Sequence, residues 1–180
     1  MRLLTLGHGT LAIAAFVDLV RAADVASIVD VRTVPKSRHN PQFEREAMEQ
    51  WTNEAGLTYA WEPRLGGFRR PKPDSPNIGL RHPAFRGYAD YMQTAEFWVA
   101  LDEVLDRAST APSAIMCSES LWWRCHRRLI ADAAVLARGV EVLDLFHSGR
   151  RVPHPITPCA RLLGDMVVYD VLDQPPLPSL

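Results

Sequence analysis

The segment that most restricts the fold is ASIVDV at residues 26–31. It is short, almost wholly apolar and without alternation. A strand of that composition needs cover on both faces, as in a parallel sheet between helical layers. One charge interrupts it. A buried carboxylate is costly unless paired, and Arg32, two residues beyond Asp30, falls on the same strand face. The two form either a structural ion pair or a site in which Asp30, with a tuned proton affinity, serves as a base or orients a water.

The flanking segments repeat the theme. RLLTL is a strand candidate broken by Gly-His-Gly, after which Thr10 is expected to cap a helix through about Ala23, with Ile13, Phe16, Val17 and Val20 on one face. After the loop RTVPKSRHNP, residues 43–55 have helical spacing and stop at Gly56, and LTYAW follows with strand composition. Residues 62–86 hold Gly66, Gly67 and five prolines without a period, which predicts a long loop, functional or mobile. Six cations (Arg64, Arg69, Arg70, Lys72, Arg81 and Arg86) face only Glu62 and Asp74 there, so the loop is basic. One amphipathic helix is expected from residue 87 to residue 108, then the strand SAIMC, a helix over about 120–137 closed by Gly139, and the strand VEVLDLF.

The alternation predicts a single α/β, Rossmann-like domain over residues 1–173. Its mostly parallel sheet is flanked by helices and carries the basic loop, and a Pro-rich stub follows at 174–180. The 180 residues suffice for one buried core. A net charge of −1 gives no global pull toward nucleic acid or an anionic membrane. Three cysteines argue against a disulfide scaffold and for a reducing compartment. The N-terminus lacks a secretory pattern and no apolar run reaches a membrane span, so the cytoplasm, without a membrane partner, is the expected location.

In such sheets ligands sit beyond the carboxyl ends of the strands. That rule predicts that His8, Asp30, Arg32, Cys117, Ser118 and Glu119 share one edge. The richest stretch there is IMCSESLWWRCHRR at residues 115–128. Ser118 or Ser120 is expected to cap the following helix, Arg127, ahead of Arg124 and Arg128, to add positive charge for an anion, and Glu119 to act as acid or base or merely to cap. Cys117 sits where a thiol nucleophile would, but a phosphatase-type loop wants an arginine six places on, where this chain has Trp123. A buried structural thiol fits better. Cys117, Cys125, His126 and His8 offer metal-ligand atoms, yet adjacent Cys125 and His126 would diverge by about 100° on a helix, so no metal site is assigned. Ser37 and Arg38 in SRHNPQF and Gly66 and Gly67 in PRLGGFRR add donors and pliant backbone. No P-loop or dinucleotide fingerprint is present, so the cofactor is left open. Tyr88 and neighbouring aromatics either stack a base or belong to the core. The LWW run suggests either a homodimer surface or core packing.

Taken together, TLGHGT, IVDVRTVPKSRHNPQF, LTYAWEPRLGG, FRGYADYM, IMCSESLWWRCHRRLIA and HPITPCAR resemble the domain of unknown function 488 family. The resemblance implies an α/β fold and a shared polar site using His8, Asp30, Arg32, Ser37, Arg38, Gly66, Gly67, Tyr88, Cys117, Glu119, Cys125, His126 and Arg127. It implies no activity. GHGT where Gly-His-Ser is commoner, and the aromatic SLWW, depart from its pattern.

The leading expectation is an enzyme acting by hydrolysis or group transfer on an anionic, nucleotide-like or nucleic-acid-related substrate. Asp30 or Glu119 would be acid or base, His8 or His126 would hold a proton, and Arg32, Arg38 and Arg127 would hold the anion under the Gly66 loop. The rival is a non-catalytic nucleic-acid or anion-binding protein. A cysteine-dependent redox or metal protein is third.

Overall fold

In the computed structural model, which describes residues 1–171, five parallel strands form the body of one sheet. They are β1 (Arg2–Gly7), β2 (Ser27–Asp30), β3 (Thr58–Trp61), β4 (Ser113–Cys117) and β5 (Glu141–Leu145). The order is β3-β2-β4-β1-β5, and β6 (Arg151–Pro153) adds an antiparallel edge to β5. The helices are α1 (Ile13–Ala22), α2 (Arg45–Glu54), α3 (Pro83–Tyr91), α4 (Ala95–Thr110) and α5 (Arg127–Arg138). This is the expected Rossmann-like α/β architecture with a mostly parallel sheet flanked by helices. The expected stub at 174–180 lies outside the described residues.

Strand alternation divides the core in two. Leu4, Leu6, Ile28, Ala114 and Met116 pack with Phe16, Val20, Met48 and Trp51 of α1 and α2. Leu3, Val29, Ile115 and Val142 pack with residues of α3, α4 and α5. Every residue of β2 and β4 is buried, which is why neither alternates in polarity.

Several boundaries differ from expectation, each for a local reason. Helix α1 starts at Ile13 behind Ala12, and Thr10 stays exposed outside it, because His8–Leu11 forms a turn closed by Leu11 N–H to the His8 carbonyl. Phe43 belongs to a short 3-10 turn, and α2 begins at Arg45. The helix expected over 87–108 is two helices: the Thr94 hydroxyl accepts from the Phe97 N–H, so a capping threonine cuts a continuous amphipathic pattern. Helix α3 reaches back to Pro83, a proline at the first helical position, inside the segment expected to be loop.

Helix α5 starts at Arg127, seven residues later than expected. Residues 118–126 form a loop with one 3-10 turn at Trp122–Arg124, and Cys125 is extended. Neither Ser118 nor Ser120 caps α5. Beyond β6, β7 (Ala160–Leu163) and β8 (Met166–Tyr169) form a hairpin turning at Gly164 and Asp165. Its buried Val167 and Tyr169 belong to the core on the α3, α4 and α5 side of the sheet.

Candidate functional site

The strand ends do converge, but the two-residue period of the strands splits the expected residues between opposite faces of the sheet edge. Asp30 continues the face of Ile28, and His8 the face of Leu6, so both point toward α1 and α2. Cys117 continues the face of Ile115 and points toward α5. Two polar assemblies result.

The first is a sealed knot. Asp30 is fully buried; its Oδ1 accepts from the Arg32 backbone N–H at 3.0 Å and Nε at 2.8 Å, and its Oδ2 from the Tyr59 hydroxyl at 2.8 Å and from Arg32 Nη2. Arg32 Nη2 also donates to the Phe43 carbonyl at 2.7 Å. Its Nη1 lies 3.2 Å from His8 Nε2. A guanidinium only donates, so His8 Nε2 carries the lone pair and Nδ1–H donates to the Gly9 carbonyl at 2.8 Å. The ring stacks on Phe43 with centroids 4.1 Å apart. Burial, with the Arg32 charge, lowers the His8 pKa to about 4, so the ring is neutral at pH 7. Burial opposes the Arg32 charge, but Asp30 outweighs it and holds the group firmly protonated. The side-chain atoms of Asp30 and His8 are committed within the protein, and neither residue lines the hollow described next. Through Arg32 they tie the ends of β1 and β2 together.

The second assembly opens outward. A hollow of about 420 Å³ is lined by Lys36, Ser37, Gly67, Phe68, Phe85, Tyr88, Cys117, Glu119, Arg124, Cys125 and His126, with Arg32 also reaching its wall. Glu119 is part-exposed, and its Oε1 accepts from the Leu121 N–H at 3.1 Å, so it caps the turn rather than α5. Its backbone is pinned from below. Arg127 donates to the Glu119 carbonyl, and a Cβ on Gly7 would overlap that same carbonyl, so only glycine allows β1 to pass.

Cys117, Cys125 and His126 meet at the hollow's wall, their Sγ and ring nitrogen atoms all within 4.8 Å of one another. The expected divergence of Cys125 and His126 does not arise, because both precede the helix. His126 Nε2 lies 3.0 Å from the Val31 carbonyl, which can only accept. In the neutral ring Nε2 therefore carries the proton and Nδ1 the lone pair, 3.7 Å from Cys125 Sγ. A Cβ on Gly67 would press on that ring, 3.1 Å from Nδ1, and glycine spares it that crowding. The two thiols split: a hydrogen bond to Cys125, with burial, pushes Cys117 up, while Cys125, despite burial, is pulled down by Cys117 and the Arg127 charge.

The other expected site residues are scattered. Ser37 lines the hollow with Oγ accepting from the Asn40 N–H at 3.0 Å. Arg38 is exposed and lies outside the hollow's lining. Gly66 is buried and packed so closely against Thr33 and the Pro63 carbonyl that no side chain would fit there. Tyr88 is buried, donates to the Leu65 carbonyl at 2.7 Å and forms part of the wall. Arg127 is fully buried, donating to Thr5 at 3.0 Å as well as to Glu119, so it positions Glu119 rather than meeting a ligand. Within the basic loop Arg64 pairs with Glu62 and Glu103, Arg69 covers the Tyr91 ring and Arg86 donates to the Leu80 carbonyl. In the LWW run Trp122 is buried and Trp123 half-buried.

Sequence reasoning passed over Lys36 and His154, and weighed Arg124 and Phe68 without placing them. Lys36 and Arg124 line the hollow, and neither is ion-paired among the described residues. Phe68 is 93% exposed at the rim with a left-handed φ of 61°, strained for an aromatic residue. Behind α5, His154 is buried between Asp144 at 2.9 Å and Asp132 at 3.3 Å. Burial alone would lower His154; the two carboxylates more than reverse this and raise it to about 9, so it is an imidazolium. Asp144 interrupting VEVLDLF is the same signal that singled out Asp30. Among the described residues no helix is long and apolar enough to cross a membrane.

No curated protein and no solved structure matches this chain. The family model described as domain of unknown function DUF488 matches residues 12–134, which include β2, β4, both hollow-facing cysteines and His126. With well over half of its length matched, the chain belongs to the DUF488 family.

Proposed function

We propose that this protein is an enzyme acting on an anionic, nucleotide-like small molecule by hydrolysis or group transfer, in the hollow beyond β2 and β4. One observation carries the reading: a single hollow gathers one carboxylate, Glu119, and one imidazole, His126, with two cations, Lys36 and Arg124, that have no ion-pair partner among the described residues. Unpaired cations on a concave wall favour a phosphate or carboxylate group. Glu119, part-exposed and held by a single backbone N–H, is the group free to take or return a proton. Phe68 and Phe85 supply flat faces for a ring of the substrate. Lys36 and Arg124 take the anion-holding role expected of Arg38 and Arg127, and Arg32 holds Asp30 and His8 instead.

The rival, a non-catalytic nucleic-acid binder, draws less support, because half of the basic loop's six cations, Arg64, Arg69 and Arg86, are engaged within the protein and only Arg70, Lys72 and Arg81 stand exposed. The test is incubation of the full chain with a panel of nucleotides and simpler phosphate and carboxylate esters, followed by mass spectrometry of the products. Glu119→Gln should cut turnover of a consumed compound by about 10²–10⁴-fold with an unchanged circular dichroism spectrum. Lys36→Ala and Arg124→Ala should each raise KM. A panel left intact, or undiminished turnover by Glu119→Gln, sinks the proposal; tight salt-sensitive DNA or RNA binding by that variant would favour the rival.

A further inference from the structure

We propose that Cys117, Cys125 and His126 form a zinc site with one coordination position open to the hollow. The donor atoms are already gathered within 4.8 Å of one another, from residues on the end of β4 and just before α5. A tetrahedral zinc ion with Zn–S of about 2.3 Å and Zn–N of about 2.0 Å holds sulfur and nitrogen ligands roughly 3.5 Å apart. Cys125 Sγ and His126 Nδ1 stand at 3.7 Å. Two thiolates and an imidazole are a soft donor set, suited to zinc and unsuited to magnesium or calcium.

Two further features point to an ion rather than to ordinary packing. The first is the orientation of His126. Its Nε2–H is held by the Val31 carbonyl, which turns the Nδ1 lone pair toward the thiols, as an outer partner does for a metal-bound histidine. The second is the space beside the ring: a Cβ on Gly67 would press on the His126 ring, 3.1 Å from Nδ1, so glycine leaves the ring free to keep that orientation. Cys117 Sγ has only a 3.9 Å contact to Ser118 Oγ outside the cluster, so binding would break no good hydrogen bond.

Three protein ligands leave the fourth position facing the hollow, where Glu119 is the sole carboxylate in the lining. What the ion does there rests on the enzymatic reading above. A zinc-bound water gives its proton to Glu119, and its oxygen forms a bond to the electrophilic carbon or phosphorus of the substrate. The leaving group departs with the bonding electron pair and takes the proton back from Glu119.

The experiment uses the full chain, stripped of metal under reducing conditions and titrated with Co²⁺ and Zn²⁺. One Co²⁺ per chain with an intense sulfur-to-cobalt charge-transfer band, displaced by Zn²⁺, is the expected result. Cys125→Ser and His126→Gln should each abolish the band. Because a variant at a buried position can misfold, a second measurement uses the unmodified chain: Zn²⁺ should raise its Tm and protect Cys117 and Cys125 from alkylation. A titration with no such band, or a Cys117–Cys125 disulfide that forms equally well with Zn²⁺ present, overturns the site. Glu119→Gln separates the two proposals. It should bind Co²⁺ normally, so a cobalt band without any turnover in the wild type refutes only the enzymatic reading. Turnover by metal-free protein refutes only the catalytic role given to the zinc ion.

Discussion

Arg32 Nη1 donates to His8 Nε2 across 3.2 Å, so an arginine that already clasps Asp30 also dictates the tautomer of a histidine from another strand. The contact forbids a proton on Nε2. His8, whose pKa is lowered to about 4, should keep its neutral ring signals in NMR down to about pH 4. The unfolded chain binds this proton near the ordinary value of 6.5, so stability present above 6.5 drains as pH falls from 6.5 toward 4. Urea unfolding across that window should show the loss, and His8→Asn should flatten it.

Asp30→Asn leaves the Arg32 guanidinium buried with only neutral acceptors. Breaking one side of a buried pair costs about 3–5 kcal/mol, and the urea midpoint should fall accordingly. Tyr59→Phe removes one hydrogen bond to the same carboxylate and should cost about 1.5–3 kcal/mol. If both variants keep full stability, the sealed-knot account is wrong.

His154 predicts the opposite pH behaviour from His8. Its folded pKa is raised to about 9, so its stabilisation is complete below about 6.5 and is lost as pH rises through about 9. His154→Gln abandons two buried carboxylates, should cost about 3–5 kcal/mol at pH 6, and should weaken the alkaline decline.

Gly7→Ala drives a methyl into the Glu119 carbonyl, backbone against backbone, where nothing flexible can yield. The strand end or the 118–126 loop must move. We expect a loss of about 1–3 kcal/mol in denaturant unfolding, together with a fall in any activity that uses Glu119.

Phe68→Gly relieves a left-handed aromatic residue that buries almost nothing. Stability should rise by roughly 0.5–1 kcal/mol, the conformational relief less the added freedom of glycine in the unfolded chain. The same variant should raise KM, because the ring at the rim is lost. A drop in Tm would show that Phe68 packs rather than waits for a ligand.

Much of the fold was legible along the chain. Unbroken apolar runs at β2 and β4 predicted strands covered on both faces, and helical spacing predicted α1, α2 and α5 to within a few residues at most of their ends. The two largest errors share one cause. Thr94 divides α3 from α4, and Cys125 opens out before α5, yet the apolar spacing runs through both points without a break. Periodicity reports which side chains face inward and is blind to where one capping hydroxyl or one extended residue interrupts the backbone.

The candidate site shows the same division. Local chemistry along the chain, strands ending in Asp30 and Cys117 with Glu119 just beyond, determined that polar groups gather at the carboxyl edge of a parallel sheet. Only the tertiary structure decided that Asp30 and His8 turn toward α1 and α2 while Cys117 turns toward Cys125 and His126. The reason is that side chains alternate along each strand, so which face a terminal residue takes depends on register between strands distant in sequence. That register, rather than the residue types themselves, separates the sealed ion pair from the open hollow.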